Sequence, residues 1–216
     1  MDLIFVRHGK PEIAAGDNDP ALTNAAKEQA EQVGQWLVRE NIARVVCSPL
    51  RRAFETAEPT SRILGLKLEV LDGLAEAGRS RQGYRGVEEL RKDPGGWAKF
   101  LEDPITYLGD DPVAFRRAVL EAVASLFDRP PEGKVAVFTH GIPINVVISH
   151  ALGLKRVSHF LPHYCSLTRI SGASLGDIGV ISVNETAHLA VSHESPNPRA
   201  DARQTLPSAT LSGTAT

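Results

Sequence analysis

The chain has 216 residues, 42% of them hydrophobic and 23% charged, which suits one sizeable globular core with a small insertion and excludes a disordered chain. A net charge of -2 supplies no global field that would draw it to nucleic acid or to an anionic membrane, and no stretch approaches the ~20 apolar residues that a membrane span needs. Any anion must therefore be held by a few local Arg or His side chains.

Leu3-Ile4-Phe5-Val6 is a continuous apolar run ending in a charged, Gly-containing turn, the pattern of a buried parallel strand. Because Asp2 precedes that run, the N-terminus does not read as a signal peptide. Apolar or small residues at Ala26, Ala30, Val33 and Leu37 predict an amphipathic helix from Thr23 to about Glu40. Ala43 to Cys47 reads as a second strand, followed by a helix through Ala53, Ala57 and Leu64 that Gly65 stops. Leu66 to Leu71 alternates like a strand. Phe115, Val119, Ala122, Val123 and Leu126 mark a long helix, Val135 to Phe138 a central strand and Ile144 to Leu152 another helix, with late strands at Leu167–Ile170 and Val180–Val183.

This alternation predicts an α/β fold, a three-layer sandwich with a mainly parallel central sheet and helices on both faces. Residues 78–111 break the rhythm with charge, Gly and Pro, and are read as a short lid inserted over the site. Residues 1–191 then form a single domain, and 192–216, rich in Pro, Ser, Thr and Ala, a flexible tail. Cys47 and Cys165 read as reduced, packed thiols, in keeping with a cytoplasmic protein.

Two His-Gly dipeptides stand in equivalent contexts, His8-Gly9 after the first strand and His140-Gly141 after the fourth. Ligands of open α/β sheets bind beyond the carboxyl ends of the strands, so the two histidines can converge there, and each Gly is expected to allow a tight turn and bring its amide to an anion. For either dipeptide alone, an unrelated loop histidine is the plainer reading. A third element shifts that balance: in Ser48-Pro49-Leu50-Arg51-Arg52-Ala53 a basic pair occupies the first turn of a helix, unfavourable for the helix dipole unless an anion lies nearby.

The ordered set Val6-Arg7-His8-Gly9-Lys10, Ser48-Pro49-Leu50-Arg51-Arg52-Ala53-Phe54-Glu55-Thr56-Ala57, Leu74-Ala75-Glu76-Ala77-Gly78 and Phe138-Thr139-His140-Gly141 resembles the histidine phosphatase superfamily, also called phosphoglycerate-mutase-like, over nearly the whole chain to about residue 190. The resemblance implies that His8 is the nucleophile, with Arg7, Arg52, His140 and Gly141 holding the phosphoryl group and Arg51 solvated. It implies Glu76 as proton donor to the leaving oxygen. Two departures stand out: Ala14 occupies a position where many relatives carry Asn, and Gly83-Tyr84-Arg85-Gly86 begins seven residues after Glu76 where the family often shows four. Glu88 and Glu89 are therefore alternative acids.

The resemblance implies a phosphomonoester hydrolase acting through a phosphohistidine, with no metal and no cofactor, on a small phosphorylated metabolite. Primer-dependent phosphoglycerate mutase and a phospho-group-binding protein without turnover are the alternatives. His159 and His163 have a possible metal spacing, but Pro162 interrupts any helix and no third ligand is evident. No nucleic-acid or membrane partner is expected, and monomer and dimer stay open. Between Arg79 and Lys92 positive charges exceed negative ones by three. That stretch reads either as a solvated loop or as a grip in which Arg79 or Arg81 holds a second anionic group on the substrate.

Overall fold

The computed structural model describes residues 1–79 and 83–189. Ser80, Arg81, Gln82 and the tail expected from residue 192 lie outside them. The strands β1 (Asp2–Arg7), β2 (Ile42–Cys47), β3 (Leu68–Val70), β4 (Lys134–Thr139), β5 (Leu167–Gly172) and β6 (Ile178–Glu185) form one sheet in the order β3-β2-β4-β1-β5-β6. The first four run parallel, while β5 is antiparallel to both β1 and β6. The mainly parallel α/β sandwich expected from the sequence is what forms.

Alternate side chains of β1 enter different cores, as the two-residue strand period requires. Ile4 and Val6 pack with Val45, Cys47, Ala136 and Phe138 against α1 (Asn24–Leu37) and α2 (Arg51–Leu64), which contribute Val33, Leu37 and Ala57. Thr23 caps α1 by accepting from the Ala26 amide, and Gly65, at φ 64°, ends α2 in the left-handed conformation. Leu3 and Phe5 enter the opposite core with Val135 and Val137, under α6 (Pro112–Phe127) and α7 (Gly141–Ala151). Every residue of α7 from Ile142 to Ser149 is buried, which is why its sequence shows apolar content without a polar face.

The inserted segment is more regular than its Gly and Pro content suggests. It contains three short helices, α3 (Val87–Leu90), α4 (Pro94–Glu102) and α5 (Pro104–Leu108), and its Leu90, Phe100 and Ile105 belong to the same core as Leu3 and Phe5. The prolines there start helices instead of breaking them. Asp93, Asp103 and Asp111 each cap a helix with the carboxylate, and each is followed by Pro at the first helical position, where its missing N–H costs nothing. Among the described residues no helix is long and apolar enough to cross a membrane.

Strand β1 leads to α1 on one face and its parallel neighbour β4 leads to α7 on the other. The two connections diverge, opening a crevice at the carboxyl ends of this central pair, the usual ligand position in such sheets.

Candidate active site

Arg7 pairs with Thr139 in the β1–β4 register, so the residues after them, His8 and His140, emerge side by side. Their ring centroids are 4.9 Å apart at an interplanar angle of 56°, and both side chains are buried. His8 Nδ1 lies 2.7 Å from the Gly9 carbonyl. A carbonyl only accepts, so the ring proton of neutral His8 sits on Nδ1 and the lone pair on Nε2. Neither glycine has positive φ. Gly9 is small because a Cβ there would meet Ala26 Cβ at 3.0 Å and Leu22 Cδ2 at 3.2 Å, and its amide donates to Thr56 Oγ1 at 2.9 Å. The expected role of Gly9 as a turn-former and anion donor therefore gives way to close packing. Gly141 opens α7 and lies beside Arg7, where a Cβ would stand 3.9 Å from Nε.

Arg7 and Arg52 flank His8, and each is stacked on a tyrosine. Arg7 donates from Nη1 to the Pro162 carbonyl at 2.5 Å, and its Cζ lies 4.0 Å from the Tyr164 ring centroid. Arg52 donates from Nε to His8 Nε2 at 3.4 Å, with Cζ 4.5 Å from the Tyr84 centroid. The aromatic faces hold the guanidinium planes and leave their N–H edges free to meet oxygens. Arg7 Nε, Arg52 Nη1 and His140 Nδ1 are buried nitrogens without a hydrogen-bond partner among the described residues. Such groups are costly to desolvate, and a phosphoryl group placed among them would accept from all three.

The dipole argument for an anion at α2 is only partly right, because the protein supplies anions of its own. Asp19 accepts the Arg51 amide with both carboxylate oxygens, at 2.9 and 3.0 Å, and stands 3.5 Å from Arg52 Nη1. The Arg51 side chain is exposed and paired with Glu55 at 2.7 Å, whereas Arg52 lines the cavity.

Glu76 lines the same cavity as Arg7, His8 and Arg52. The alternative acids point elsewhere: Glu88 accepts from the Tyr164 hydroxyl at 3.1 Å, and Glu89 pairs with Lys92 at 2.8 Å. Arg79 and Arg85 lie at the cavity wall, whereas Arg81 falls outside the described residues. His159 and His163 sit in an irregular loop, and among the described residues no three His, Cys, Asp or Glu side chains cluster as a metal site would need. Burial pushes both thiols, Cys47 and Cys165, up to about 12, so neither is a nucleophile at neutral pH. Three site residues escaped the sequence reading: Tyr84, whose only signal is an aromatic between glycines, Tyr164, and Ser48, whose Oγ lies 2.8 Å from His140 Nε2.

The electrostatics follow from burial beside cations. Both histidines are held well below the ordinary imidazole value of 6.5, His8 by burial, then Arg52 and Arg7, and His140 by burial, then Arg52, His8 and Arg7. Glu76 is pushed up by burial, against the pull of Arg52 and Arg7. A depressed histidine stays neutral in the fold while the unfolded chain takes up protons below 6.5, so stability falls as pH drops through that range. The denaturant midpoint of the phosphate-free protein is expected to fall between about pH 7 and 5, each histidine adding a slope of up to about 1.4 kcal/mol per pH unit. A double variant, His8→Gln with His140→Gln, should flatten that slope; an unchanged slope would show that neither imidazole is held neutral.

Against known proteins, the family model described as the histidine phosphatase superfamily (branch 1) matches residues 3–180. A probable phosphoglycerate mutase of Salmonella paratyphi A is 26% identical over 181 residues, covering 79% of this chain and 84% of that protein. Among solved structures, a phosphoserine phosphatase variant from Entamoeba histolytica with phosphoserine superposes with a TM-score of 0.69 at 24% identity, over 88% of this chain and 99% of the other. A mycobacterial glucosyl-3-phosphoglycerate phosphatase with inorganic phosphate gives 0.72 at 24% identity, with the same coverage of 88% and 99%. These two likenesses establish a shared fold. With most of its length matched by the family model, and its two histidines and two arginines gathered at one sheet edge, the chain belongs to the histidine phosphatase superfamily.

Proposed function

We propose that the protein is a phosphomonoester hydrolase that transfers the phosphoryl group to His8 and then to water. What supports this reading above all is the pairing of a lone pair on His8 Nε2 with two guanidiniums that flank it. In the first step Nε2 attacks phosphorus and the P–O ester bond breaks. Glu76, raised toward its protonated form, gives its proton to the leaving alkoxide. In the second step a water attacks phosphorus and the P–N bond breaks. The Glu76 carboxylate takes the water's proton, and neutral His8 is restored with inorganic phosphate released. Arg7, Arg52 and the His140 N–H meet the phosphoryl oxygens in both steps, so the work is chiefly positioning and charge stabilisation. Phosphoglycerate mutase is the second reading, favoured by the name of the Salmonella relative. Primer-dependent conversion of 3- to 2-phosphoglycerate would mark it.

His8→Ala is expected to lose essentially all turnover while still binding inorganic phosphate, and the wild type should yield an acid-labile, alkali-stable phosphoprotein on rapid quenching. In Glu76→Gln, hydrolysis of an alkyl phosphate should fall by about 10²–10⁴. With p-nitrophenyl phosphate, whose leaving group needs little protonation, the loss shifts to the second step and phosphoenzyme accumulates. Full activity of His8→Ala would refute the nucleophile, and equal losses on both substrates with no accumulation would refute the acid.

Arg79 and Arg85 line the cavity and make no ion pair with any described residue. The proposed metabolite therefore carries a second anionic group that Arg79 meets. Arg79→Ala should raise KM for a carboxylate-bearing phosphomonoester about tenfold or more relative to p-nitrophenyl phosphate, with kcat little changed. Equal effects on both substrates would return Arg79 to the solvated surface.

A further inference from the structure

The cavity changes character away from His8. Next to Glu76, its walls are Ala77, Val87, Leu90, Phe100, Leu108 and Ile142, delivered by α3, α4, α5 and the first turn of α7. Leu90 and Ile142 keep only 2% and 5% of their surface exposed, so this wall is continuous with the core. Beyond the phosphoryl-binding end, the polar side chains that line the cavity among the described residues are Asn18, Arg79, Tyr84 and Arg85; Asn18 Oδ1 is already taken by the Gly83 amide at 2.6 Å, and Tyr84 is stacked on Arg52. The volume is about 80 Å³, on a scale where one water occupies about 10–15 Å³, so it holds a phosphoryl group and an alcohol of a few heavy atoms.

We infer that the carbon chain of the substrate next to the ester oxygen is short and apolar, seated against this wall, with its second anionic group carried at the far end toward Arg79, and that it is not a polyhydroxylated sugar or glycerol phosphate. This rests on the phosphatase reading above and names its substrate class. A hydroxyl pressed against Leu90, Leu108 or Ile142 would lose its water against side chains that carry no polar atom, whereas a methylene gains by burial. Along ethyl, propyl and butyl phosphate, kcat/KM should climb by about three- to fourfold per methylene. Glycerol 1-phosphate should fall below propyl phosphate, although its more acidic alcohol is the better leaving group. In Leu108→Asn the propyl preference should shrink while glycerol 1-phosphate hydrolysis is retained. A flat series, or glycerol 1-phosphate equal to or better than propyl phosphate, overturns the inference even if the variant does not fold. If none of these esters is hydrolysed, the phosphatase reading itself fails.

A separate observation concerns Ser48, buried at the end of β2. Its Oγ accepts from the Leu50 amide at 3.2 Å and lies 2.8 Å from His140 Nε2. The hydroxyl has one proton, and among the described residues its remaining acceptor is His140 Nε2. The geometry points to Ser48 as a positioning residue that fixes His140 in the tautomer with the proton on Nδ1, the buried nitrogen that has no partner among the described residues and that the proposed phosphoryl group would meet. Without that bond the ring can present a bare lone pair to a phosphoryl oxygen and repel it. Ser48→Ala should lower kcat/KM about ten- to a hundredfold, milder than the ~10²–10³ in kcat typical when an electrostatic donor is removed outright. Its imidazole ¹⁵N spectrum should move His140 Nδ1 from the protonated signal toward a mixture, and Ser48→Thr should restore both. A wild-type His140 protonated on Nε2 instead of Nδ1, or unchanged rate and spectrum in Ser48→Ala, overturns the assignment.

Discussion

Everything at the site hangs on the parallel hydrogen bonding of β1 to β4 in the register that sets Arg7 opposite Thr139. The His8 amide continues that ladder by donating to the Thr139 carbonyl at 2.9 Å, so the chain is held in register up to the histidine itself. A slip of one residue would turn each side chain to the opposite face and part His8 from His140. The register is enforced by burial on both faces, since Leu3 and Phe5 fill one core while Ile4 and Val6 fill the other. The two hydrophobic cores thus determine where two imidazoles meet, and the histidines contribute nothing to that choice.

Bringing Arg7, Arg52, His8 and His140 together out of water stores an electrostatic cost. Part is met by keeping both imidazoles neutral, which also leaves His8 with a usable lone pair. Part is met by Asp19, which reaches over the N-terminus of α2 toward Arg52. Stacking on Tyr84 and Tyr164 fixes the guanidiniums without using up their N–H groups, unlike a carboxylate partner. For the proposed phosphoryl group the arrangement would be preorganised, since no donor would have to turn before the charge arrived.

The inserted helices join the two concerns. Through Leu90, Phe100 and Ile105 they complete the core above α6 and α7, and through Tyr84 and the Glu88–Tyr164 hydrogen bond they reach the stacked arginines. A segment with its hydrophobic side chains in the main core is anchored, and its inner wall defines the shape of the space beside Glu76. In the proposed phosphatase, specificity would follow from which side chains the insertion turns inward, while Arg7, His8 and His140 stay with the sheet.

The sequence by itself determined the strands and helices, because continuous apolar runs and 3.6-residue periodicity are local signals, and it marked His8, Arg52 and His140 through motifs at strand ends. It also held the Asp-Pro starts of α4 and α5, legible as caps although their prolines first read as breaks. Tertiary structure alone decided which of Arg51 and Arg52 faces inward, since adjacent helical residues point in different directions and only the packing of α2 on the sheet orients them. It alone brought Ser48, Tyr84 and Tyr164 to their partners, and turned Glu76 into the cavity while Glu88 and Glu89 face away. Each of those contacts joins residues distant in the chain, and no local pattern records a distance that only the closing of the two cores creates.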